Sequence, residues 1–149
     1  MTLLQGLLCG AVLGSTDAAS VFSILRARKL ALKENTDSLL EVESGSNDPF
    51  AYMLTAVLLA AMETGITPGG AALLLVKQLA FGLAFGFGVG FAVLWMMRRL
   101  HFAASGSDTI LVVAAALLAY AAPTLLDGNG FLSVYIAGII LGNGEIGHK

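Results

Sequence analysis

The sequence predicts an all-α protein that crosses a membrane several times. Of its 149 residues, 57% are hydrophobic and only 12% are charged, whereas soluble domains average about 25% charged residues. The mean hydropathy is +0.85, and the apolar residues form about five runs long enough to cross a bilayer or most of it. A single cysteine allows no internal disulfide. Since the chain has no arginine-rich patch, nucleic acid is not an expected partner.

The first span covers about residues 3–25 and carries a polar interruption at its centre. The run Gly-Ser-Thr-Asp at residues 14–17 weakens a helix there, because glycine costs about 1 kcal/mol relative to alanine. Short polar side chains also compete for the backbone hydrogen bonds. We therefore expect a broken helix near residues 14–18. Irregular backbone at membrane depth is tolerated only where it faces protein or a water-filled cavity.

The second span, about residues 36–62, contains the polar run Glu43–Pro49. If its helix begins near Thr36, Asp48 lies roughly 16 Å along it, close to the middle of a hydrocarbon core about 30 Å thick. A carboxylate at that depth costs at least a few kcal/mol, so Asp48 is a candidate functional residue. Ser44 shares its face of the helix because the two are four residues apart.

Three further spans are expected at about residues 71–97, 108–126 and 131–143. Turn residues separate them. In the first of these, glycines recur every fourth residue, a spacing typical of helix packing in membranes. They are Gly82, Gly86 and Gly90.

Basic residues are confined almost entirely to one side of the predicted membrane. Most of the eight Lys and Arg residues fall in the loops at residues 26–34 and 98–106. Because cytoplasmic loops carry the excess of Lys and Arg, both loops are predicted to be cytoplasmic and the N-terminus to lie outside. We therefore expect a multi-pass integral protein of the cell (inner) membrane. The polar centres of the first two spans then meet near the midplane of the bilayer.

The polar groups of the first two spans are the oxygen ligands that hard cations prefer. They are the Asp48 carboxylate, the Ser44 hydroxyl and backbone carbonyls freed around Thr16. The same carboxylate also takes a proton, which burial favours and a nearby cation opposes. Proton and cation therefore compete for one site. Alternating exposure of that site to the two sides of the membrane would exchange one ion for the other, which is antiport.

Four stretches of the sequence resemble the monovalent cation–proton antiporters of the NhaP type, and most closely the bacterial potassium–proton antiporters. The stretches are Gly14–Phe22, Glu43–Pro49, Gly130–Tyr135 and Leu141–Asn143. The resemblance implies a homodimer whose protomers have about a dozen or more helices in inverted repeats, with two crossed, broken helices. It implies a secondary transporter rather than an enzyme, with a role in pH homeostasis. The expected ligands are transported K⁺ or Na⁺ and H⁺, without a cofactor.

By this resemblance, residues 1–149 form a single transmembrane domain, a central fragment of a larger one, with the remaining half as its partner in the lipid bilayer. Asp48 binds the cation and the proton, and Ser44 and the Thr16 backbone supply further cation ligands. Asp17 compensates the dipole ends at the helix crossing. Glu43 and Asn47 form a structural pair. The resemblance also implies that an asparagine directly before the binding aspartate, here Asn47 before Asp48, accompanies electroneutral exchange of one cation for one proton.

Two other functions stay open at this point. Asp17 and Asp48 suit the catalytic dyad of an intramembrane aspartyl protease, in which two like charges share one proton. Alternatively, the chain is a non-transporting assembly subunit in which Asp48 pairs with a lysine or arginine of a partner.

Overall fold

Six α-helices make up the regular structure of the described residues. The computed structural model describes residues 2–17, 19–28, 36–99 and 107–144, and no strand occurs in this part of the chain. The predicted all-α fold class is confirmed. The helices are α1 (Leu3–Leu13), α2 (Ala19–Ala27), α3 (Thr36–Thr64), α4 (Pro68–Arg99), α5 (Ser107–Thr124) and α6 (Gly130–Gly142).

The first predicted span is divided into two helices. Helix α1 begins with a capping box, in which the side chains of Thr2 and Gln5 bond each other's backbone N–H groups. It ends at Leu13, and residues 14–17 are not helical. Helix α2 begins at Ala19. The break predicted near residues 14–18 is therefore present, and residue 18 lies outside the described part of the chain.

Helix α3 runs without interruption through the polar motif of the second predicted span. Pro49 lies inside the helix and is buried, so its missing N–H removes one backbone bond without ending the helix. The helix ends near Gly65, whose φ of 62° lies in the left-handed region that glycine enters without a steric penalty. The Thr67 hydroxyl then accepts a hydrogen bond from the Gly70 N–H at 3.2 Å, which caps the start of α4.

The chain divides into two compact units, Met1–Ile66 and Thr67–Lys149. In the first unit α1 packs against α3, and in the second α4, α5 and α6 pack against one another. The polar motifs of the first two predicted spans therefore belong to one unit. The glycine repeat belongs to the other.

The glycine repeat of α4 lies against α6. A Cβ atom added at Gly86 would lie 2.9 Å from both Ile136 Cβ and the Ser133 carbonyl oxygen. One added at Gly90 would lie 3.1 Å from Ala137 Cα. These distances leave too little space for a methyl group, so glycine permits the two helix backbones to approach closely. The prediction that the repeat is a packing face is confirmed.

Among the described helices, α4 alone is both long and apolar enough to cross a membrane by itself. Helix α3 has 29 residues, but its acidic residues interrupt the apolar run. Helices α1, α6 and the segment Thr109–Thr124 of α5 are apolar but shorter. Trp95 is 61% exposed and Leu117 is 67% exposed. Apolar surface of this kind suits contact with lipid or with further helices.

The later predicted spans correspond to helices of the structure. The spans at about 71–97 and 131–143 correspond to α4 and α6, and the span at 108–126 corresponds to α5, which ends at Thr124. The predicted basic loops at 26–34 and 98–106 fall mostly on residues 29–35 and 100–106, outside the described part of the chain. The sidedness deduced from them stays a prediction.

Substitution of Gly86 by alanine tests the packing of α4 on α6. We expect Gly86→Ala to lower the free energy of unfolding by about 1–3 kcal/mol, because the added methyl group overlaps atoms of α6. The measurement is unfolding of the intact gene product by titration with a denaturing detergent. Gly88→Ala is the matched control, since a Cβ atom there has nothing within 4 Å. Equal stabilities of the two variants would contradict the packing described here.

Candidate functional site

The non-helical residues 14–17, called the unwound stretch below, are hydrogen-bonded to the middle of α3. The Ser15 hydroxyl donates to Asp48 Oδ1. The Ser44 hydroxyl donates to the Thr16 carbonyl oxygen at 2.8 Å. These bonds join residues 28 or more positions apart in the chain. The structure therefore brings together the polar centres of the first two predicted spans, within the unit Met1–Ile66.

Thr16 contacts several side chains of α3. Besides the bond from Ser44 to its carbonyl, its side-chain oxygen accepts from Asn47 Nδ2 at 2.5 Å. The same hydroxyl lies 3.4 Å from both carboxylate oxygens of Glu43. The Thr16 hydroxyl can therefore accept from the amide and donate to the carboxylate at once, as its donor and lone pairs allow. Side chains on two neighbouring faces of α3 hold this one residue.

Glu43 and Asn47 form the pair expected from their spacing. Asn47 Nδ2 lies 3.1 Å from Glu43 Oε1, one helical turn away. The other side-chain atom, Asn47 Oδ1, is buried and has no hydrogen-bond partner among the described residues. The amide is thus oriented with its donor toward Thr16 and Glu43. Its functional role stays a prediction.

Asp48 is exposed in this chain. Ser44 lies one turn before it on the same face of α3. No basic residue occurs in 14–17 or 41–49, the two stretches that meet here. The described residues contain no cluster of three or more His, Cys, Asp or Glu placed to hold a metal ion. The Asp48 carboxylate thus lies beside hydroxyl and carbonyl oxygens, which are ligands that suit a weakly held cation. The Glu43 carboxylate is bonded to Asn47.

Asp17 lies in the same unwound stretch, directly after Thr16, and is exposed. Helix α2 begins two residues later, at Ala19. A negative charge near a helix N-terminus is favourable, because the unpaired N–H groups there carry partial positive charge. This position is compatible with the predicted compensation of helix dipole ends, which stays a prediction.

Ser15 is the residue that sequence reasoning missed. It was expected to weaken the helix, but it was not among the predicted ligands or supporting residues. Its hydroxyl nevertheless contacts Asp48 directly. The only signal in the sequence is its position in the predicted break, one residue before Thr16. The direction of a side chain on irregular backbone does not follow from helical spacing.

Comparison with known proteins gives consistent matches over the whole chain. The family model described as "Sodium/hydrogen exchanger, transmembrane" matches residues 1–149. A protein named K(+)/H(+) antiporter NhaP2 from Shewanella sp. (strain MR-4) is 45% identical over 143 residues, which are 94% of this chain and 24% of that protein. K(+)/H(+) antiporter NhaP from Alkalimonas amylolytica is 40% identical over 144 residues, 96% of this chain and 25% of that protein.

The chain spans about a quarter of the length of these curated relatives. No solved structure matches it. The similarity covers both the unwound stretch and the polar motif of α3, because it extends over nearly the whole chain.

Asn47→Ala tests whether the amide holds the unwound stretch against α3. We expect it to lower the free energy of unfolding by about 1–3 kcal/mol, because Thr16 and Glu43 both lose a hydrogen-bond donor. Titration of the intact gene product with a denaturing detergent measures this change. In the control Ser46→Ala, the lost hydroxyl bonds the Glu43 carbonyl of its own helix, at 3.0 Å, and no other group in the part of the chain that the structure describes. If Asn47→Ala is as stable as that control, the amide does not hold the stretch.

Proposed function

Because the chain belongs to the sodium/hydrogen exchanger family of transmembrane proteins, we propose that it forms the ion-binding part of a secondary transporter. The transporter exchanges a monovalent cation, potassium or sodium, for protons. The observation that supports this proposal is the contact between the unwound stretch and Asp48, through Ser15, beside the Ser44–Thr16 bond. The Asp48 carboxylate and the Ser44 hydroxyl are one turn apart on α3, and the Thr16 backbone carbonyl is bonded to that hydroxyl.

In the proposed cation-bound state, Asp48, the Ser44 hydroxyl and the Thr16 carbonyl are ligands of the ion. In the structure described here, the Ser44 hydroxyl donates to that carbonyl. When its O–H rotates away, the lone pairs of the hydroxyl oxygen can accept a cation. The Thr16 carbonyl has a second lone pair for the ion. The incoming cation therefore needs no large movement of the backbone.

The exchange follows from competition at the Asp48 carboxylate. Its two oxygens bind either a proton or a cation, and each ion weakens the binding of the other. In the proposed cycle the site opens to one side of the membrane at a time, so it releases one ion and returns with the other. With a single competing carboxylate, one cation moves for each proton.

Glu43, Asn47 and Asp17 support the site without binding the ion. The Glu43–Asn47 pair, together with its bonds to Thr16, fixes the unwound stretch against α3. The bond from the Asn47 amide also partly compensates the negative charge of Glu43. Asp17 balances the N-terminal end of α2.

Potassium is the proposed cation. The relatives that match this chain at 40–45% identity are named as K(+)/H(+) antiporters, and sodium is the alternative that the same oxygen ligands accept. The family implies an integral, multi-pass membrane protein. We further propose an inner-membrane homodimer with its N-terminus outside, in which this chain acts together with the rest of the membrane domain.

Substitution of Asp48 tests the proposed function. We expect Asp48→Asn to reduce cation-driven proton movement in inverted membrane vesicles to the background of vesicles without the protein. The reason is that an amide neither takes up a proton nor carries a negative charge to hold a cation. Wild type and variant of the intact gene product are compared with potassium and with sodium. The ion that drives the larger signal identifies the substrate.

Asp37→Asn is the matched control. Asp37 lies in the first turn of the same helix, away from the unwound stretch, so exchange should remain at the wild-type rate. Wild-type exchange in Asp48→Asn would overturn the proposal. Loss of assembled protein from the membrane in that variant would favour the assembly subunit, and cleavage of a membrane peptide by the wild type would favour the protease.

A further inference from the structure

Ser15 donates a hydrogen bond to the Asp48 carboxylate from irregular backbone. It follows Gly14, the C-cap of α1, and is not helical. Its side chain is therefore not directed by helix geometry, and it reaches Asp48 across 33 residues of sequence. The next residue, Thr16, receives the Ser44 hydroxyl on its carbonyl at 2.8 Å. Two consecutive residues of the unwound stretch thus hold two side chains one turn apart on α3.

We propose that Ser15 is a positioning residue for the cation site, an inference that rests on the proposed function of Asp48. By donating to Oδ1, the Ser15 hydroxyl fixes the rotation of the carboxylate. The other oxygen, Oδ2, is then left to face the ion together with the Ser44 hydroxyl and the Thr16 carbonyl. A free carboxylate would have to be ordered when the cation binds, and that ordering weakens binding. Ser15 holds it in place beforehand.

The hydrogen bond from Ser15 to Asp48 joins a hydroxyl donor to a carboxylate acceptor. An ionised carboxylate only accepts hydrogen bonds, and a serine hydroxyl has one hydrogen to donate. Hydrogen bonds to charged groups are about twice as strong as those between neutral groups. Threonine keeps the hydroxyl, alanine removes it, and cysteine keeps a similar size with only a weak donor. These three substitutions separate the hydrogen bond from the volume of the side chain.

The test is the dependence of exchange on cation concentration, measured in inverted vesicles at one alkaline pH. We expect Ser15→Ala to raise the potassium concentration for half-maximal exchange by up to about tenfold, because the freed carboxylate must then be ordered when the cation binds. The maximal rate should stay within about twofold of wild type, since saturating cation orders the carboxylate. Ser15→Cys should behave as Ser15→Ala does, and Ser15→Thr should restore the wild-type concentration.

Ser23→Ala is the matched control, because the Ser23 hydroxyl bonds the Ser20 carbonyl within α2, at 2.8 Å, and no other group among the described residues. Wild-type half-saturation in Ser15→Ala or Ser15→Cys would overturn the inference. So would a folded Ser15→Thr variant that fails to restore it. If Asp48→Asn abolishes exchange while Ser15→Ala is normal, only this inference fails. If Asp48→Asn exchanges normally, the proposed function itself fails.

Discussion

The polar backbone of the unwound stretch has to be satisfied inside a membrane domain, and the structure of the first unit follows from that requirement. Between α1 and α2, residues 14–17 lack helical hydrogen bonding. Within a bilayer each unsatisfied group costs several kcal/mol, so irregular backbone persists only where protein or water supplies partners. Helix α3 supplies one such partner, because Ser44 donates to the Thr16 carbonyl. The bond from Asn47 to the Thr16 hydroxyl holds the side chain of the same residue.

The same bonds that make the break tolerable also bring together the groups of the proposed ion site. A carbonyl that lies outside a helix is available to a cation, and the side chains that reach it bring a hydroxyl and a carboxylate with them. Asp48 is tied to the stretch by Ser15 rather than by a basic residue. An arginine or lysine in that place would neutralise the carboxylate and repel a cation. A neutral hydroxyl orients the charge and leaves it available.

The sequence was sufficient to predict those features that depend on residue spacing. Known helix-breaking residues predict the break near 14–18, and spacing of four residues predicts the Glu43–Asn47 bond and a packing face around Gly86. The identity of the partner helix, α6, does not follow from spacing. The contacts of Ser15 with Asp48 and of Asn47 with Thr16 do not follow from spacing. They depend on how irregular backbone is oriented against another helix, which tertiary packing alone determines.

The central claim is that proton and cation compete for one carboxylate, and calorimetric titration of the intact gene product with potassium tests it most directly. The dissociation constant is measured at a series of pH values in detergent. Competition for a single group predicts that the constant rises as the pH falls, by at most about tenfold per pH unit, and that cation binding releases at most one proton. Potassium binding with the same dissociation constant at every pH would contradict the account.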